Sequence, residues 1–259
     1  MRLSRIGRFL VCLAGLALGG MGAAWGGGTE LSESELAAVS GRGVLAFSNS
    51  SYNGFDFSNV ALAADVSLNA NFKDISLGQY PYTPLNGTGA DISIALLQFG
   101  RSDASEAQRL VQISNPYFEF VYNNAGGDGN RQIVGVRLGF GGIAGDMGLK
   151  ASSISGSMLI DGGANGQLDA TGKRWDNSGC AAPCLTLAQI GGVRAGDASG
   201  PSRDFWISML SEPVQFQAPA GSGLPLPPIA QAGFWLNWRD RLSALNIDGV
   251  VPPNLAPGH

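Results

Sequence analysis

From residue 43 onward the chain alternates apolar and polar positions in short runs: "VLAFSNS", "FDFSNVALAADVSLNANF", "ADISIALLQFG", "RLVQIS", "YFEFVYNN", "QIVGVRLGF" and "SMLIDG". A period of two with clusters of Gly, Asn, Asp and Pro between runs predicts β-strands joined by turns. The clearest pair is "PYFEFVYNNAGGDGNRQIVGVRLGF". Phe118, Phe120 and Tyr122 share one face of the first run, and Val134, Val136, Leu138 and Phe140 share one face of the second. The "NNAGGDGN" between them tolerates positive φ, so the two runs are expected to form a hairpin. The chain from 161 to 204 reads as loop with one or two strands between Leu185 and Val193. "RDFWISML", "EPVQFQAP" and "AGFWLNWRDRLSALN" return to aromatic-rich strand signals, joined by the extended Pro-rich "AGSGLPLPPIA". The tail "GVVPPNLAPGH" is expected to fray.

One stretch has two readings. In 131–161 an alternating strand runs into Gly139-x-Gly141-x-x-Ala144, and Asp161 follows about twenty residues later, close to a dinucleotide-binding fingerprint. That fingerprint needs a helix after the glycines, whose first amides face the pyrophosphate. Here "GGIAGDMG" follows, with four glycines in eight residues, each costing a helix interior about 1 kcal/mol relative to Ala. The glycines are therefore expected to serve turns and close contacts within a sheet.

Before the strands, "ELSESELAAVSGRG" holds a capping box, Ser32 with Glu35, and a stripe of Leu31, Leu36 and Val39, ending at Gly41. It predicts a helix of two to three turns. Together these elements predict an all-β fold of mainly antiparallel short strands, a sandwich or an elongated meander, after a short N-terminal helix; a β-solenoid is the alternative. The expected segments are a signal peptide over 1–24, a helical linker over 25–42, a β-rich domain over 43–160, a disulfide-pinned loop region over 161–204, and an aromatic β segment with its tail over 205–259.

The leader adds a compartment. Arg2, Arg5 and Arg8 precede the apolar "FLVCLAGLALGGMGAA", and Gly22-x-Ala24 offers a cleavage site, the pattern of a secretory signal. Export to the periplasm, the outer-membrane surface or the exterior is the expectation. Cleavage would remove three arginines and no acid, taking 16 basic residues to 13 against 20 acids and the net charge from −4 to −7. With no cluster of Lys and Arg, nucleic acid is a poor partner. Cleavage also removes Cys12 and leaves Cys180 and Cys184 in "GCAAPC". In an exported chain such a pair predicts a disulfide across a tight loop, worth about 2 kcal/mol for so short a ring.

Candidate chemistry is sparse. The one histidine is His259, the last residue, which leaves Ser-His-Asp, Cys-His and histidine-based metal centres without a positioned imidazole. No G-x-S-x-G elbow is present. Carboxylate-pair hydrolysis stays open, with no spacing that singles out a pair. Asp161, Asn165, Gly166 and Asp169 occupy positions 1, 5, 6 and 9 of a calcium-like loop, but Gly163 and Gly172 stand at positions 3 and 12, where ligands are expected. Asp128 and Asn130 form a fainter candidate. Trp206, Trp235 and Trp238, with Phe205 and Phe234, concentrate aromatics near the C-terminus. They predict packing on one face and a ligand-binding stripe on the other, core packing being the plainer reading. An outer-membrane barrel fits export and alternation, but not the Pro-rich joins or the "LAPGH" ending.

The leader, "ELSESELAAVSGRG" and "NPYFEFVYNN…RQIVGVRLGFGGIAGDMGLKASSISGSM" together resemble the Fil-type pilus-system proteins of Gram-negative bacteria, over about residues 1–160. The resemblance implies an exported, β-rich protein with an envelope or surface role and brings no catalytic residues. The expected function is thus non-enzymatic: a structural or assembly protein working through sheet faces and edges. Its expected partners are other envelope or surface proteins, copies of itself among them, with outer-membrane association left open. The alternative is a binding module for an apolar or glycan ligand at the C-terminal aromatics.

Overall fold

The structure is a computed structural model that describes residues 44–82, 87–124, 131–177 and 183–255. Strands take up 62% of the described residues and helix 5%, so the fold is all-β. The signal segment, the helix expected around Leu31–Val39 and His259 lie outside the described residues. Within them, helix is confined to 3-10 turns at Glu106–Arg109, Gly163–Asn165 and Leu187–Gln189.

Among the described residues twelve strands form one sheet that does not close into a barrel. They are β1 (Leu45–Tyr52), β2 (Phe55–Leu62), β3 (Asp65–Leu68), β4 (Ala70–Tyr82), β5 (Gly87–Phe99), β6 (Val111–Asn123), β7 (Gln132–Asp161), β8 (Gln167–Trp175), β9 (Gly192–Ala195), β10 (Trp206–Leu210), β11 (Gly233–Trp238) and β12 (Leu242–Asn246). One path through the sheet runs β1-β2-β6-β7-β10-β11. Every pairing is antiparallel except those of β11 and β12 with β7. This order joins strands far apart in sequence, which the solenoid alternative does not allow.

β7 organises the whole. Its 30 residues replace the two short strands expected from 131–161. Its first half pairs with β6 and β10, its middle with β5 and β9, and its end with β8 and β11. Glycines that look like breaks in the sequence lie inside the strand. A Cβ on Gly156 would collide with the carbonyl of Leu236 on parallel β11, and Gly145 holds φ +136° where Val111 crosses. The would-be phosphate loop, Gly139 to Ala144, is paired strand, with Gly139 opposite Tyr117 and Ala144 opposite Gln112.

The expected hairpin forms: Phe118 opposes Leu138 and Phe120 opposes Val136. A register shift at Val121/Tyr122 then inserts one residue, so Ile133 rather than Val134 faces Tyr122. Val134 therefore turns inward and is buried, while Ile133 is 62% exposed, because an added residue inverts the alternation beyond it.

Three further expectations change. Residues 167–175, read as loop, form β8, because Leu168 and Ala170 alternate into the core under β7. "EPVQFQAP" is no ladder strand; residues 211–232 form a strap across the sheet, tied by reciprocal backbone bonds between Val214 and Ala230 (2.9 and 3.0 Å). The tail is docked as far as Leu255: Asn254 is buried, its amide donating to Asn71 Oδ1 (2.8 Å) and the Phe99 carbonyl (3.0 Å).

Two cores result. The larger lies around the second half of β7 and includes Ile92, Met147, Ile154, Ile160, Leu168 and Trp238. The smaller lies between the first half of β7 and the strap, and includes Phe57, Val121, Trp206, Leu210, Phe216 and Trp235. Buried carboxylates tie the strands laterally. Asp146 on β7 receives Arg194 at 2.7 and 3.0 Å, and Asp91 on β5 receives Lys173 and the Phe234 amide, both at 2.8 Å.

Candidate functional site: an open sheet face and a strap-covered cleft

The strands β1, β2, β6, β7 and β10 lie side by side, and their register fixes which side chains stand together. One row runs Phe47, Val60, Phe118, Leu138, Ile207 across five strands. Two residues along, the parallel row is Asn49, Ser58, Phe120, Val136, Met209. Residues directly opposite point to the same side and positions i and i+2 share a face, so both rows stand on one face. Neither contains a charge. Phe47 is 72%, Leu138 58%, Met209 49% and Phe118 39% exposed. Phe118 and Phe120 meet edge to face at 5.5 Å, which organises the rings without covering them. At one end the ion pair Arg131–Asp56 (2.8 Å) closes the patch. Towards β11 the face is covered, with Leu236 buried in the larger core.

While β1 stays exposed on both sides, the opposite face of β2, β6, β7 and β10 is covered. There Ser50, Phe57, Val121, Gly135 and Leu210 form one row, and Asn59, Glu119, Arg137 and Ser208 the next. Phe216 of the strap is fully buried on them, 4.7 Å from Trp206 and 5.7 Å from Phe57. Arg137 forms an ion pair with Glu119 at 2.6 Å and lies 4.3 Å over the Phe216 ring.

β1 adds an edge. Among the described residues it pairs with β2 alone, and "LAFSNSSY" carries neither charge nor proline. Edge strands without these features are templates for pairing with another chain.

Where the strap leaves the covered face, a cavity of about 440 Å³ opens between it and the ends of β7, β8, β10 and β11. Asp204, Asp240, Arg239 and Asn237 line its polar side. The Asp204 carboxylate accepts backbone N–H groups from Arg239 (2.9 Å) and Asp240 (2.9 Å) and the Asn237 amide (3.2 Å). Burial pushes the Asp204 carboxyl above its ordinary value; the two backbone donors pull the other way, and the charge of Asp240 adds to the rise. Asp240 in turn accepts the Arg203 amide at 3.0 Å.

The residues expected to bind ligand are placed differently. Trp206, Trp235 and Trp238 are all buried and form no exposed stripe. Trp206 and Trp235 pack in the smaller core, while Trp238 packs in the larger and donates to Ser202 Oγ at 3.0 Å. Only Trp206 borders the cavity. Asp161 and Asn165 sit in the β7–β8 turn, where Asp161 Oδ1 accepts the Gly163 amide (2.8 Å) and the Asn165 amide nitrogen points to the Gly162 carbonyl (3.3 Å). Asp169 is on β8, paired with Arg239 at 2.8 Å. The calcium reading thus meets a tight polar turn and an arginine-bound carboxylate. Among the described residues no group of three His, Cys, Asp or Glu could hold a metal.

Cys180, Asp128 and Asn130 lie outside the described residues; Cys184 makes a parallel bridge to Gln167. Sequence reasoning passed over Asp204, Asn237, Arg239 and Asp240. A signal exists: Arg-Asp occurs at the mouth of each aromatic strand, in "SRDFW" and "NWRDR". No helix among the described residues is long and apolar enough to cross a membrane. Searches of protein-family models, curated proteins and solved structures find no match to the chain.

Proposed function

We propose that this protein is a non-enzymatic, exported assembly protein of the envelope or cell surface, whose working surface is the open apolar face of β1, β2, β6, β7 and β10 with the β1 edge beside it. The carrying observation is the pair of uncharged rows across five strands, exposed at Phe47, Phe118, Leu138 and Met209. A contiguous apolar patch of this extent marks an interaction surface. The leader and the resemblance to Fil-type pilus-system proteins favour the compartment.

The partner that fits is a second copy of this chain. Five strands about 4.8 Å apart span roughly 19 Å, and a copy stacked about 10 Å away completes a two-layer sandwich. Rows without charge bring no like-charge repulsion when such a face meets itself. An anionic membrane surface suits it less, because the chain as a whole is acidic. Light scattering on the purified chain over a concentration series tests this. We expect a monomer–dimer equilibrium abolished by Leu138→Glu with the melting temperature retained. A wild-type chain monomeric throughout, or one that floats with phosphatidylglycerol vesicles through this face, would refute the assignment.

A further inference from the structure

The cleft beneath the strap lies away from the docking face and is not explained by it. The 440 Å³ cavity adjoins a second of about 330 Å³, and the two share Leu159, Arg239 and Arg241. They form an elongated groove rather than a single pit, each part within the size range of small-molecule sites. Its apolar side is Trp206 with Pro219, Pro225 and Pro227 of the strap.

Its polar side mixes donors and acceptors. Arg239 spends Nη1 on Ser157 (2.9 Å), Asp169 (2.8 Å) and Thr171 (3.1 Å), so its other N–H groups remain for a ligand. Asp161 and Asp197 join Asp204 and Asp240 as acids along the groove, against Arg239 and Arg241. An anion would therefore meet four carboxylates, and a cation would meet two guanidinium groups. Beneath the first cavity Asn237 is 1% exposed, and its orientation is fixed because its nitrogen donates to the Asp204 carbonyl (2.8 Å) and carboxylate (3.2 Å). Its Oδ1 has no donor among the described residues. A buried acceptor without a donor costs roughly 1–3 kcal/mol, and this oxygen has no accessible surface on the cavity side either, so it anchors the cavity wall rather than the ligand.

We propose that this groove binds a neutral, linear oligosaccharide. Hydroxyl groups both donate and accept, so one ligand serves Asp204 and Asp240 on one side and Arg239 and Arg241 on the other. The C–H faces of sugar rings pack on Pro219, Pro225 and Pro227. The length of the paired cavities favours a chain of linked units over a single ring.

Titration of the full chain with maltotetraose, cellotetraose and chitotetraose, followed by calorimetry and tryptophan fluorescence, tests the site, with spermidine as the cationic control. At least one tetrasaccharide is expected to bind with saturation. Arg239→Leu should weaken it tenfold or more. So should Gln217→Trp, which fills the cavity from an exposed strap position and leaves the melting temperature unchanged. Silence from all three sugars at about 10 mM, binding of spermidine alone, or sugar binding untouched by Gln217→Trp would each overturn the proposal.

Discussion

The two faces of β2, β6, β7 and β10 are built from alternate residues of the same strands, yet they meet opposite fates. On one face Phe57, Val121 and Leu210 vanish beneath Phe216 and the rest of the strap. On the other, Phe118, Leu138 and Met209 stay open. The strap also makes possible a buried ion pair, Glu119–Arg137, which water would otherwise weaken. Apolarity on both sides of a strand signals two layers to be covered. One cover comes from residues 211–232 of the same chain, and none of the described residues supplies the other.

The comparison can be broken most strongly on the covered face. Phe216→Ala removes the ring that seals it and should cost about 3–5 kcal/mol, read from urea unfolding. Arg137→Ala leaves Glu119 buried without its partner and should cost about 3 kcal/mol, toward the low end for a buried pair because Arg137 keeps some exposure. Joint replacement, Glu119→Gln with Arg137→Met, should recover most of that loss. On the open face, Leu138→Glu should change monomer stability by only about 0.5 kcal/mol while abolishing association. A loss on the scale of Phe216→Ala would mean that the face is core after all.

The smallest effect is a pH slope at the cleft. The folded-state pKa of Asp204 is raised by burial, so the native chain binds this proton more readily than the unfolded one, and stability from this group falls as pH rises through that value. Wild type should therefore gain stability relative to Asp204→Asn as pH drops from about 7 toward the ordinary carboxylate range near 4. Asp240, Arg239 and Asn237 face this carboxylate and are unchanged in the comparison. Denaturation curves at several pH values check the direction; a gap that does not move would contradict it.

Much of this was legible in the alternation. The hairpin of Phe118 with Leu138 follows from period-two patterning and a turn rich in Gly and Asn. Local pattern fails where the reason for a residue lies far along the chain. Gly156 looks like a break, but it is the close approach of Leu236, eighty residues on, that requires it. Ile133 and Val134 exchange faces through a bulge that hydrophobicity alone cannot place. Asn254 is polar in a Pro-rich tail, and only its distant partners Asn71 and Phe99 explain its burial. The cleft was hidden for the same reason, since Asp204 and Asn237 meet only after β10 and β11 pair. The tryptophans follow their plainer reading, since each fills a core and none stands on the exposed stripe offered beside it.

Hydrogen–deuterium exchange at low and high protein concentration probes the docking face most directly. Amides of Leu45–Tyr52, and those around Phe118 and Leu138, should exchange more slowly as concentration rises, while residues 211–232 are indifferent. Exchange independent of concentration in those strands, or protection that appears on the strap instead, would contradict the account.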